Sequence, residues 1–345
     1  MTKPFSVTVL GGGSFGTAIA NSIARNGFAT TQWMRNVELA KEVQHTRINH
    51  TYLPDHPLHK NLSITSELTN ALQESQLVFV SIPSASFREV IAKAKPFFTD
   101  DAMVVSTTKG ISINKAESSK LLLMSEILKQ EIPQLRTGVL SGPNFAKEII
   151  QGQITGTVVA STDEYLIHCV QQALQCATMR IYSNNDVFGV ELAGALKNIY
   201  AIIAGMAQSR HFGNNTMALL MTRALSEMGR FAHALGADPM TFLGLAGVGD
   251  LILTCGSNLS RNYQVGYAMG KGKSLTSAMR EVGQVVEGVN TLRLVKEKAD
   301  EMTIEMPLAS ALYALLFEGA SPDGVIKQLM LSEQNSDVDF TGAIR

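Results

Sequence analysis

The sequence predicts an α/β fold joined to an all-α fold: an N-terminal Rossmann domain with a doubly wound sheet, then a helical C-terminal domain. Short apolar segments alternate with helix-like segments up to about residue 185, and a glycine-rich turn follows the first of them. Such alternation indicates a mainly parallel sheet with helices on both faces. From Asp186 onward helix-period patterns dominate. Because 345 residues exceed the size at which one core stops growing, we expect two domains, 1–187 and 188–345.

Seven segments have the apolar, β-branched composition of buried strands. They span residues 5–10, 30–34, 77–82, 103–107, 137–140, 157–160 and 179–182. A helix is expected from Ser14 to Asn26, with Gly27 just beyond its C-terminus. The segment from His56 to His59 contains a proline and offers no clear third metal ligand, so we expect a loop there and no metal site.

The composition excludes several classes of protein. Lys and Arg total 29 against 30 Asp and Glu, so no bulk charge would attract nucleic acid or an anionic membrane. The three cysteines form no CxxC pair, which indicates a reducing compartment. No signal-peptide pattern and no run of 18 uncharged apolar residues is found. We therefore expect a cytoplasmic protein with no membrane insertion and no nucleic-acid partner.

Gly11, Gly13 and Gly16 form a G-x-G-x-x-G motif between the first strand and the first helix. The motif alone is weak evidence, but a preceding strand and a following helix are the context that dinucleotide binding requires. The first glycine allows the tight turn, the second lets the backbone approach a pyrophosphate, and the third lets helix and strand pack closely. The pyrophosphate would lie at the positive helix N-terminus. The alternative is a glycine-rich turn with a purely structural role.

The segment after the second strand bears on the choice of cofactor. NAD sites often carry Asp or Glu there, whereas this chain has Arg35 and no acid before Glu38. A planar, forked guanidinium suits a 2′-phosphate and stacks on adenine. We therefore expect NADP to be preferred, with NAD also accepted. The alternative is that Arg35 is a solvated surface arginine.

Polar residues follow two further strands, at the edge where open α/β sheets bind ligands. Lys109 follows the segment 103–107, and Gly142 and Asn144 follow the segment 137–140. Lys109 would place a cation at the mouth of the crevice, although most lysines are simple surface residues.

Lys197 lies in an apolar stretch, residues 190–203, that predicts a buried helix. Burial lowers the pKa of a lysine, which suits general acid–base catalysis near neutral pH. Alternatively, this lysine extends to solvent or pairs with a buried acid.

Two polar segments follow in the second domain. Asp250 lies between Gly249 and an apolar run, a position that suits either a site residue or an ordinary helix N-cap. Ser260, Arg261 and Asn262 precede a helix-like segment. An arginine beside the free N–H groups of a helix start would bind phosphate, and a simple capped helix start is the alternative.

Taken in order, these segments resemble the NAD(P)-dependent glycerol-3-phosphate dehydrogenase family of the bacterial type, over roughly residues 5–330. The resemblance is carried by residues 11–18, 107–110, 140–146, 191–198, 247–251, 260–262 and 286–288. Several such motifs in one order are far more specific than the glycine motif alone.

The resemblance implies reversible hydride transfer between NAD(P)H and dihydroxyacetone phosphate, giving sn-glycerol 3-phosphate for phospholipid synthesis. It implies that Lys197 is the catalytic proton donor and acceptor, assisted by Lys109 and Asp250. The implied substrate contacts are Lys109, Gly142, Asn144, Lys197, Asp250, Ser260, Arg261 and Asn262. The implied cofactor contacts are Gly11, Gly13, Ser14, Phe15, Gly16, Arg35, Lys109, Ala146, Arg261, Val285 and Glu287.

The chain departs from the family pattern at two positions. Asn144 replaces the common Ser or Thr, and Gly12 replaces a common Ala, which we expect to be harmless because the position faces the turn. Two other functions stay open: a related Rossmann-plus-helical hydroxyacid dehydrogenase, and a non-catalytic dinucleotide sensor. The lysines and Asp250 count against the sensor. Helical C-terminal domains often dimerise, so a homodimer is a further expectation.

Overall fold

The computed structural model describes residues 5–113 and 121–331, and the chain in it divides into two units. The first unit contains residues 1–108 and 123–187, and the second contains residues 109–122 and 188–345. Residues 109–122, expected in the first domain from their position in the sequence, therefore belong to the second unit.

An eight-stranded sheet forms the centre of the first unit. Its strands, numbered along the whole chain, are β1 (Val7–Leu10), β2 (Thr30–Trp33), β5 (Leu62–Thr65), β6 (Leu77–Val80), β7 (Met103–Ser106), β10 (Arg136–Ser141), β11 (Thr155–Ala160) and β12 (Met179–Asn184). They lie in the order β12-β11-β10-β7-β6-β1-β2-β5, and every neighbouring pair is parallel except β10 and β11. The remaining strands form two short hairpins, β3 (Ile48–Asn49) with β4 (Leu53–Pro57), and β8 (Ser112–Ile113) with β9 (Leu121–Leu122).

The carboxyl ends of β1, β6 and β7 meet at one edge of the sheet. The three strands are parallel and in register, with Leu10 beside Val80 and Val80 beside Ser106. They are buried along their whole length, as parallel strands covered on both faces are. The residues that follow them are held side by side, because Ser81 N donates to Leu10 O at 2.8 Å and Thr107 N donates to Val80 O at 2.9 Å.

Within the described residues, α-helices of the first unit alternate with most of its strands. They are α1 (Ser14–Arg25), α2 (Val37–Thr46), α3 (Leu68–Leu72), α4 (Ser84–Ala94), α5 (Met124–Glu131), α6 (Ala146–Ile150) and α7 (Glu164–Leu174). Apolar residues of α1 and α7 pack with those of β1 and β11 in one buried core. This core fixes the sheet edge from which the site loops extend.

The second unit is helical in its described part, apart from the hairpin of β8 and β9. Its helices are α8 (Val187–Ser209), α9 (Asn214–Ala234), α10 (Asp250–Cys255), α11 (Arg261–Gly270), α12 (Leu275–Val282), α13 (Glu287–Glu301), α14 (Pro307–Phe317) and α15 (Pro322–Leu331). The segment that contains β8 is bonded to two of them. Asn198 Nδ2 donates to Lys109 O at 3.2 Å, and Asn290 Nδ2 donates to Ile111 O at 3.3 Å.

Helix α8 is long and apolar enough to cross a membrane if length and composition alone are considered. However, 83% of its most apolar segment is buried inside the protein. The central helix of a folded unit has the same composition, because it is covered by protein on all sides.

The predicted fold class is confirmed, and all seven predicted strands are present with ends that differ by one or two residues. Helix α1 ends at Arg25, and Gly27 has the predicted left-handed conformation beyond it, with a φ of 92°. The edge strand β5 and the hairpin of β3 and β4 were not predicted. The expectation of a loop at His56 is wrong, because this residue lies in β4. Its neighbour Pro57 is tolerated because a two-stranded hairpin consists only of edge strands.

Candidate active site

The glycine turn joins the end of β1 to the start of α1, and close packing requires glycine at two of its positions. At Gly11 the φ is 132° and a Cβ would lie 2.1 Å from Ser81 O. At Gly16 a Cβ would lie 2.5 Å from Gly11 O. At Gly13, by contrast, a Cβ would meet no described protein atom within 4 Å. The backbone at Gly13 is thus open to a ligand at a helix N-terminus, which fits the diphosphate of a dinucleotide.

The other residues of the turn are engaged by the protein. Ser14 Oγ donates to Tyr52 O at 3.1 Å, and Phe15 packs against the buried core. A Cβ at Gly12 would lie 2.7 Å from Met34 Cγ, so this position faces a buried side chain. The alanine that is common at this position in the family would require Met34 to move, so glycine fits the space that this chain leaves here.

Arg35 is the first charged residue after β2, and it is exposed. The next residue, Asn36, ends the loop by capping α2, where its side chain accepts from Leu39 N at 3.0 Å. Strand β2 ends beside the glycine turn, since Gly11 N donates to Trp33 O at 2.9 Å. The guanidinium is therefore placed where the adenosine end of a dinucleotide is expected.

The loop after β10 is anchored to β11. Gly142 has a φ of 144°, and a Cβ there would lie 3.1 Å from Thr157 Cα. Asn144 Oδ1 accepts from Thr157 Oγ1 at 2.9 Å, and its Nδ2 donates to Gly156 O at 3.3 Å. Ala146 then begins α6. Asn144 thus fixes the loop. Its Nδ2 carries two hydrogens and uses one of them to bond Gly156 O, so the second hydrogen remains for a ligand.

Lys109, Lys197 and Asp250 meet in the second unit. Lys197 Nζ donates to Asp250 Oδ1 at 2.8 Å, and Lys109 Nζ donates to Asp250 Oδ2 at 2.7 Å. Lys197 Nζ also donates to Thr254 Oγ1 at 2.6 Å, and that hydroxyl donates to Asp250 Oδ1 at 3.2 Å. The side chains of Lys197 and Asp250 are 7% and 1% exposed. One buried carboxylate thus holds two ammonium groups, which gives the cluster a net positive charge.

Two helices bring this cluster together. Helix α8 is apolar on nearly all sides, and its burial carries Lys197 away from water. Asp250 is the first residue of α10, after Gly249 at the N-cap, and its carboxylate bonds to the lysines. The ordinary capping role considered for Asp250 is therefore wrong. Thr254 follows one helical turn later, so both side chains lie on one face of α10.

The electrostatics of the cluster give its two buried members different roles. Burial lowers the pKa of Lys197 to about 8, with Asp250 opposing the shift and the charge of Lys109 adding to it. Burial alone would raise the pKa of Asp250, but Lys109 and Lys197 together hold it below its ordinary value. Asp250 is thus a fixed anion, while Lys197 gains and loses a proton close to neutral pH.

A chain of amide hydrogen bonds runs beside the lysines. Asn198 donates to Lys109 O, and its Oδ1 accepts from Asn262 Nδ2 at 2.9 Å. Asn262 Oδ1 in turn accepts from Gly288 N at 3.0 Å. A Cβ at Gly288 would lie 2.6 Å from Asn198 O, so only glycine lets the start of α13 come this close. The amides therefore link the backbone of Lys109 to α11 and α13.

The start of α11 carries the residues predicted to bind phosphate. Ser260 Oγ caps the helix by accepting from Tyr263 N at 3.3 Å, as the capping alternative predicted. Arg261 is the first helical residue, and its Nη1 donates to Val285 O at 3.2 Å. Glu287 begins α13 two residues later. The guanidinium therefore lies between a helix N-terminus and the segment predicted to contact the cofactor.

Two family models cover most of the chain. The model of the NAD-dependent glycerol-3-phosphate dehydrogenase N-terminus matches residues 6–167, and the model of the C-terminus matches residues 186–327. The chain belongs to the NAD-dependent glycerol-3-phosphate dehydrogenase family. The resemblance stated from its motifs is confirmed.

Individual members of the glycerol-3-phosphate dehydrogenase family match over the full length. The glycerol-3-phosphate dehydrogenase (NAD(P)+) of Saccharophagus degradans is 56% identical over 344 residues, covering 100% of this chain and 95% of the relative. That of Teredinibacter turnerae is 55% identical over 345 residues, covering 100% of both chains. The crystal structure of glycerol-3-phosphate dehydrogenase from Coxiella burnetii has a TM-score of 0.89 and 34% identity, covering 95% of this chain and 99% of that one.

The residues predicted for a glycerol-3-phosphate dehydrogenase site fall into two groups. The second unit brings together Lys109, Lys197 and Asp250 in one cluster and contains Ser260, Arg261, Asn262, Val285 and Glu287. The first unit contains the glycine turn, Arg35, Gly142, Asn144 and Ala146. In the described residues no group of three or more His, Cys, Asp or Glu side chains is arranged to hold a metal ion.

Sequence reasoning missed several buried polar residues, two of them beside the lysine cluster and two at the glycine turn. Thr254 lies one turn along α10 from the carboxylate of the cluster, and Asn198 directly follows Lys197. Both are polar residues in apolar helices, which is the signal that could have found them. Gln32 is likewise polar at the centre of a buried strand. Asn49 gave no such signal, because its segment was not predicted to form a strand.

Proposed function

We propose that the chain reduces dihydroxyacetone phosphate to sn-glycerol 3-phosphate with NAD(P)H and catalyses the reverse oxidation. The observation that carries this proposal is the buried Lys197, whose Nζ lies 2.8 Å from Asp250 Oδ1 and whose pKa burial lowers to about 8. Reduction of a ketone needs a group that is protonated before hydride transfer and then gives up that proton. Lys197 meets both needs near neutral pH.

The reaction divides between the cofactor and Lys197. When bound, NAD(P)H supplies the hydride that adds to the carbonyl carbon. Lys197 stabilises the negative charge that develops on the carbonyl oxygen and donates a proton to that oxygen, which gives the alcohol. The neutral amine then recovers a proton from solvent. In the oxidation, the neutral amine of Lys197 accepts the hydroxyl proton as the hydride leaves carbon.

Asp250 and Lys109 set the charge at this site. Asp250 holds the Lys197 ammonium by a hydrogen bond and favours its protonated form. Lys109 bonds to the other oxygen of the carboxylate, so the cluster remains positive overall. A net positive cluster with little access to water favours an anionic substrate and a developing alkoxide.

The substrate phosphate binds at the start of α11. A helix N-terminus attracts anions, and the Arg261 guanidinium adds a forked, charged donor there. Ser260 and Asn262 flank it, and Asn262 Nδ2 keeps one hydrogen beyond its bond to Asn198. We place Gly142 and Asn144 of the first unit among the substrate contacts as well.

The dinucleotide binds with its diphosphate on the glycine turn. Gly11, Gly13, Gly16, Ser14 and Phe15 form that turn. Ala146, Lys109, Arg261, Val285 and Glu287 are further contacts in this proposal. Both NAD and NADP fit the family to which the chain belongs. We propose that NADP is preferred, because the exposed Arg35 at the end of β2 suits a 2′-phosphate.

We also propose that the enzyme acts in the cytoplasm as a homodimer and that its product supplies phospholipid synthesis. The composition in cysteine supports a reducing compartment. Large apolar side chains of the second unit, among them Leu219, Met330 and Leu331, are 51%, 70% and 74% exposed, and contact with a second copy would remove such side chains from water.

The function is tested by following the absorbance of NADPH with dihydroxyacetone phosphate as substrate. Rapid oxidation of NADPH is expected, with unphosphorylated dihydroxyacetone far slower at equal concentration. A faster reaction with a 2-oxo acid would identify a hydroxyacid dehydrogenase instead. Binding of NADPH without turnover of either substrate class would identify a non-catalytic sensor.

A further inference from the structure

Two amide side chains lie beneath the glycine turn, and the proposed reaction uses neither. Gln32 is on β2, and Asn49 ends β3. Both are fully buried, with 0% exposure. Most buried polar atoms have hydrogen-bond partners, so the partners of these amides show what the side chains do.

Both amides donate to the turn. Gln32 Nε2 donates to Gly11 O at 2.8 Å and to Thr17 Oγ1 at 3.0 Å. Asn49 Nδ2 donates to Gly12 O at 2.9 Å and to Thr17 Oγ1 at 2.9 Å. The two glycine carbonyls can only accept, so it is the amide nitrogens that must face them. Each nitrogen thereby uses both of its hydrogens on the turn and on the first residues of α1.

These bonds determine where the N–H groups of the turn point. In a planar trans peptide the C=O and the following N–H point in opposite directions. Holding Gly11 O inward therefore turns Gly12 N–H outward, and holding Gly12 O inward turns Gly13 N–H outward. Outward N–H groups in a tight turn before a helix are the donors that bind a phosphate group.

The position of Asn49 is itself fixed by the turn between β3 and β4. Asn49 Oδ1 accepts from Tyr52 N at 3.3 Å, and Tyr52 O accepts from Ser14 Oγ at 3.1 Å. Gln32 Oε1, in contrast, is buried with no hydrogen-bond partner among the described residues. The oxygen of the Gln32 side chain is thus left without a hydrogen bond, while the nitrogen of the same side chain makes both of its bonds to the turn and to α1.

We propose that Gln32 and Asn49 are positioning residues that hold the N–H groups of Gly12 and Gly13 toward the diphosphate of the bound dinucleotide. The proposal rests on the dinucleotide site described under the proposed function. It predicts that the two amides determine affinity for the diphosphate portion of the cofactor and have no effect on its 2′-phosphate.

The test compares ligands with and without a diphosphate. Dissociation constants of the full chain are measured by calorimetry for NADPH, for ADP and for 2′-AMP, which has no diphosphate. Asn49→Asp keeps the size of the side chain but cannot donate to Gly12 O. We expect it to weaken NADPH and ADP by roughly 10–100-fold, as loss of a donor to a buried carbonyl does, and to leave 2′-AMP within about twofold. Gln32→Met, which removes both the donors and the unpaired oxygen, is expected to act in the same direction.

Asn21→Ala is the matched control. Asn21 is a buried asparagine of α1 whose Oδ1 accepts from His59 N at 2.7 Å, away from the glycine turn. It should lower the melting temperature without selective loss of diphosphate ligands. If Asn49→Asp does not fold, Asn49→Ser and Gln32→Met provide the same comparison.

Three results would overturn the proposal. They are unchanged NADPH affinity in the folded variants, equal losses for ADP and 2′-AMP, or a loss of ADP binding in the Asn21 control as large as in the Asn49 variants. Wild-type binding is measured first, so failure of the underlying site is distinguishable: a wild-type chain that binds neither NADPH nor ADP overturns the dinucleotide site together with this inference.

Discussion

Lys197 Nζ lies 2.8 Å from Asp250 Oδ1, and both side chains are almost wholly buried. Removing one member of such a pair usually leaves a buried charge without a partner. Here the second oxygen of Asp250 keeps its own bond to Lys109, at 2.7 Å. The carboxylate therefore remains paired when Lys197 is replaced, so chemistry can be separated from folding at this position.

Lys197→Met should lower kcat for dihydroxyacetone phosphate by ~10²–10⁴, the usual contribution of a general acid. The dissociation constant of NADPH, measured by fluorescence titration, should stay unchanged. Lys327→Met, at an exposed position of α15, is the control and should retain full activity. Near-normal kcat in the Lys197 variant would show that another group supplies the proton.

The pH profile should report the pKa of Lys197. Reduction needs the ammonium form, so kcat/KM for dihydroxyacetone phosphate should fall as the pH rises through about 8, while kcat/KM for glycerol 3-phosphate oxidation should rise through the same pH. Asp250→Asn removes the charge that favours the ammonium form of Lys197, so the fall in the reduction profile and the rise in the oxidation profile should both move to lower pH. Unchanged pH profiles in this variant would contradict the assignment of the titrating group to Lys197.

Arg35→Ala should discriminate between the two cofactors. If the guanidinium binds the 2′-phosphate, KM for NADPH should rise by roughly 10-fold or more, whereas KM for NADH should change little. Steady-state kinetics with each cofactor at saturating substrate measures both values. Arg25→Ala, at the opposite end of α1, is the control. Equal changes in KM for NADPH and NADH would mean that Arg35 does not bind the 2′-phosphate.

Arg261→Ala should identify the phosphate site. We expect kcat/KM for dihydroxyacetone phosphate to fall by roughly 10–10³-fold, since a charge-assisted bond and the positioning that it provides are both lost. Arg261→Lys should restore only part, because an ammonium cannot form a bidentate contact.

Unphosphorylated dihydroxyacetone, a poor substrate from the start, is the internal reference for Arg261. Its slow turnover should hardly change in either variant. Similar losses with both substrates would assign Arg261 to the cofactor or to the fold, in line with its bond to Val285 O.

A second buried acid should make stability depend on pH. Glu227 accepts from Leu308 N at 2.6 Å, Ala309 N at 3.2 Å and Tyr200 OH at 3.1 Å. Burial raises the pKa of Glu227 from 4.5 to about 7 despite these bonds. An acid with a raised pKa stabilises the folded state at low pH, and this contribution is lost as the pH rises from 4.5 through about 7.

The loss from Glu227 should be on the order of 3 kcal/mol of unfolding free energy across that range. Urea unfolding at several pH values measures it. Glu227→Gln cannot ionise, so the variant should lack this part of the pH dependence, whatever its overall stability. The same slope in wild type and variant would assign the effect to other groups.

Sequence periodicity was enough to predict seven of the eight sheet strands and the helical second unit. Buried parallel strands such as β6 are continuous apolar runs, and α8 is apolar on nearly all sides, so local composition carries the signal. Edge strand β5 escaped prediction because an edge strand needs neither a long apolar run nor a fixed composition.

Within the candidate site, the sequence singled out residues one at a time and did not predict which of them bond to each other. Separate motifs pointed to Lys109, Lys197 and Asp250. The bonding of one carboxylate to both lysines depends on contacts between residues that are distant in the chain. The role of Asn49 depends in the same way on a hairpin that brings it beneath the glycine turn. Local pattern has no information about such pairings.

The assignment of residues 109–122 to the second unit has a consequence for the modularity of this enzyme. A single cut near residue 187 would leave Lys109 on one fragment and Asp250 on the other, and it would strip Ile111 of its bond to Asn290. The dinucleotide-binding half therefore cannot be transferred to another catalytic domain as an intact unit. Any transplant of that half would carry Lys109 away from the carboxylate that binds it.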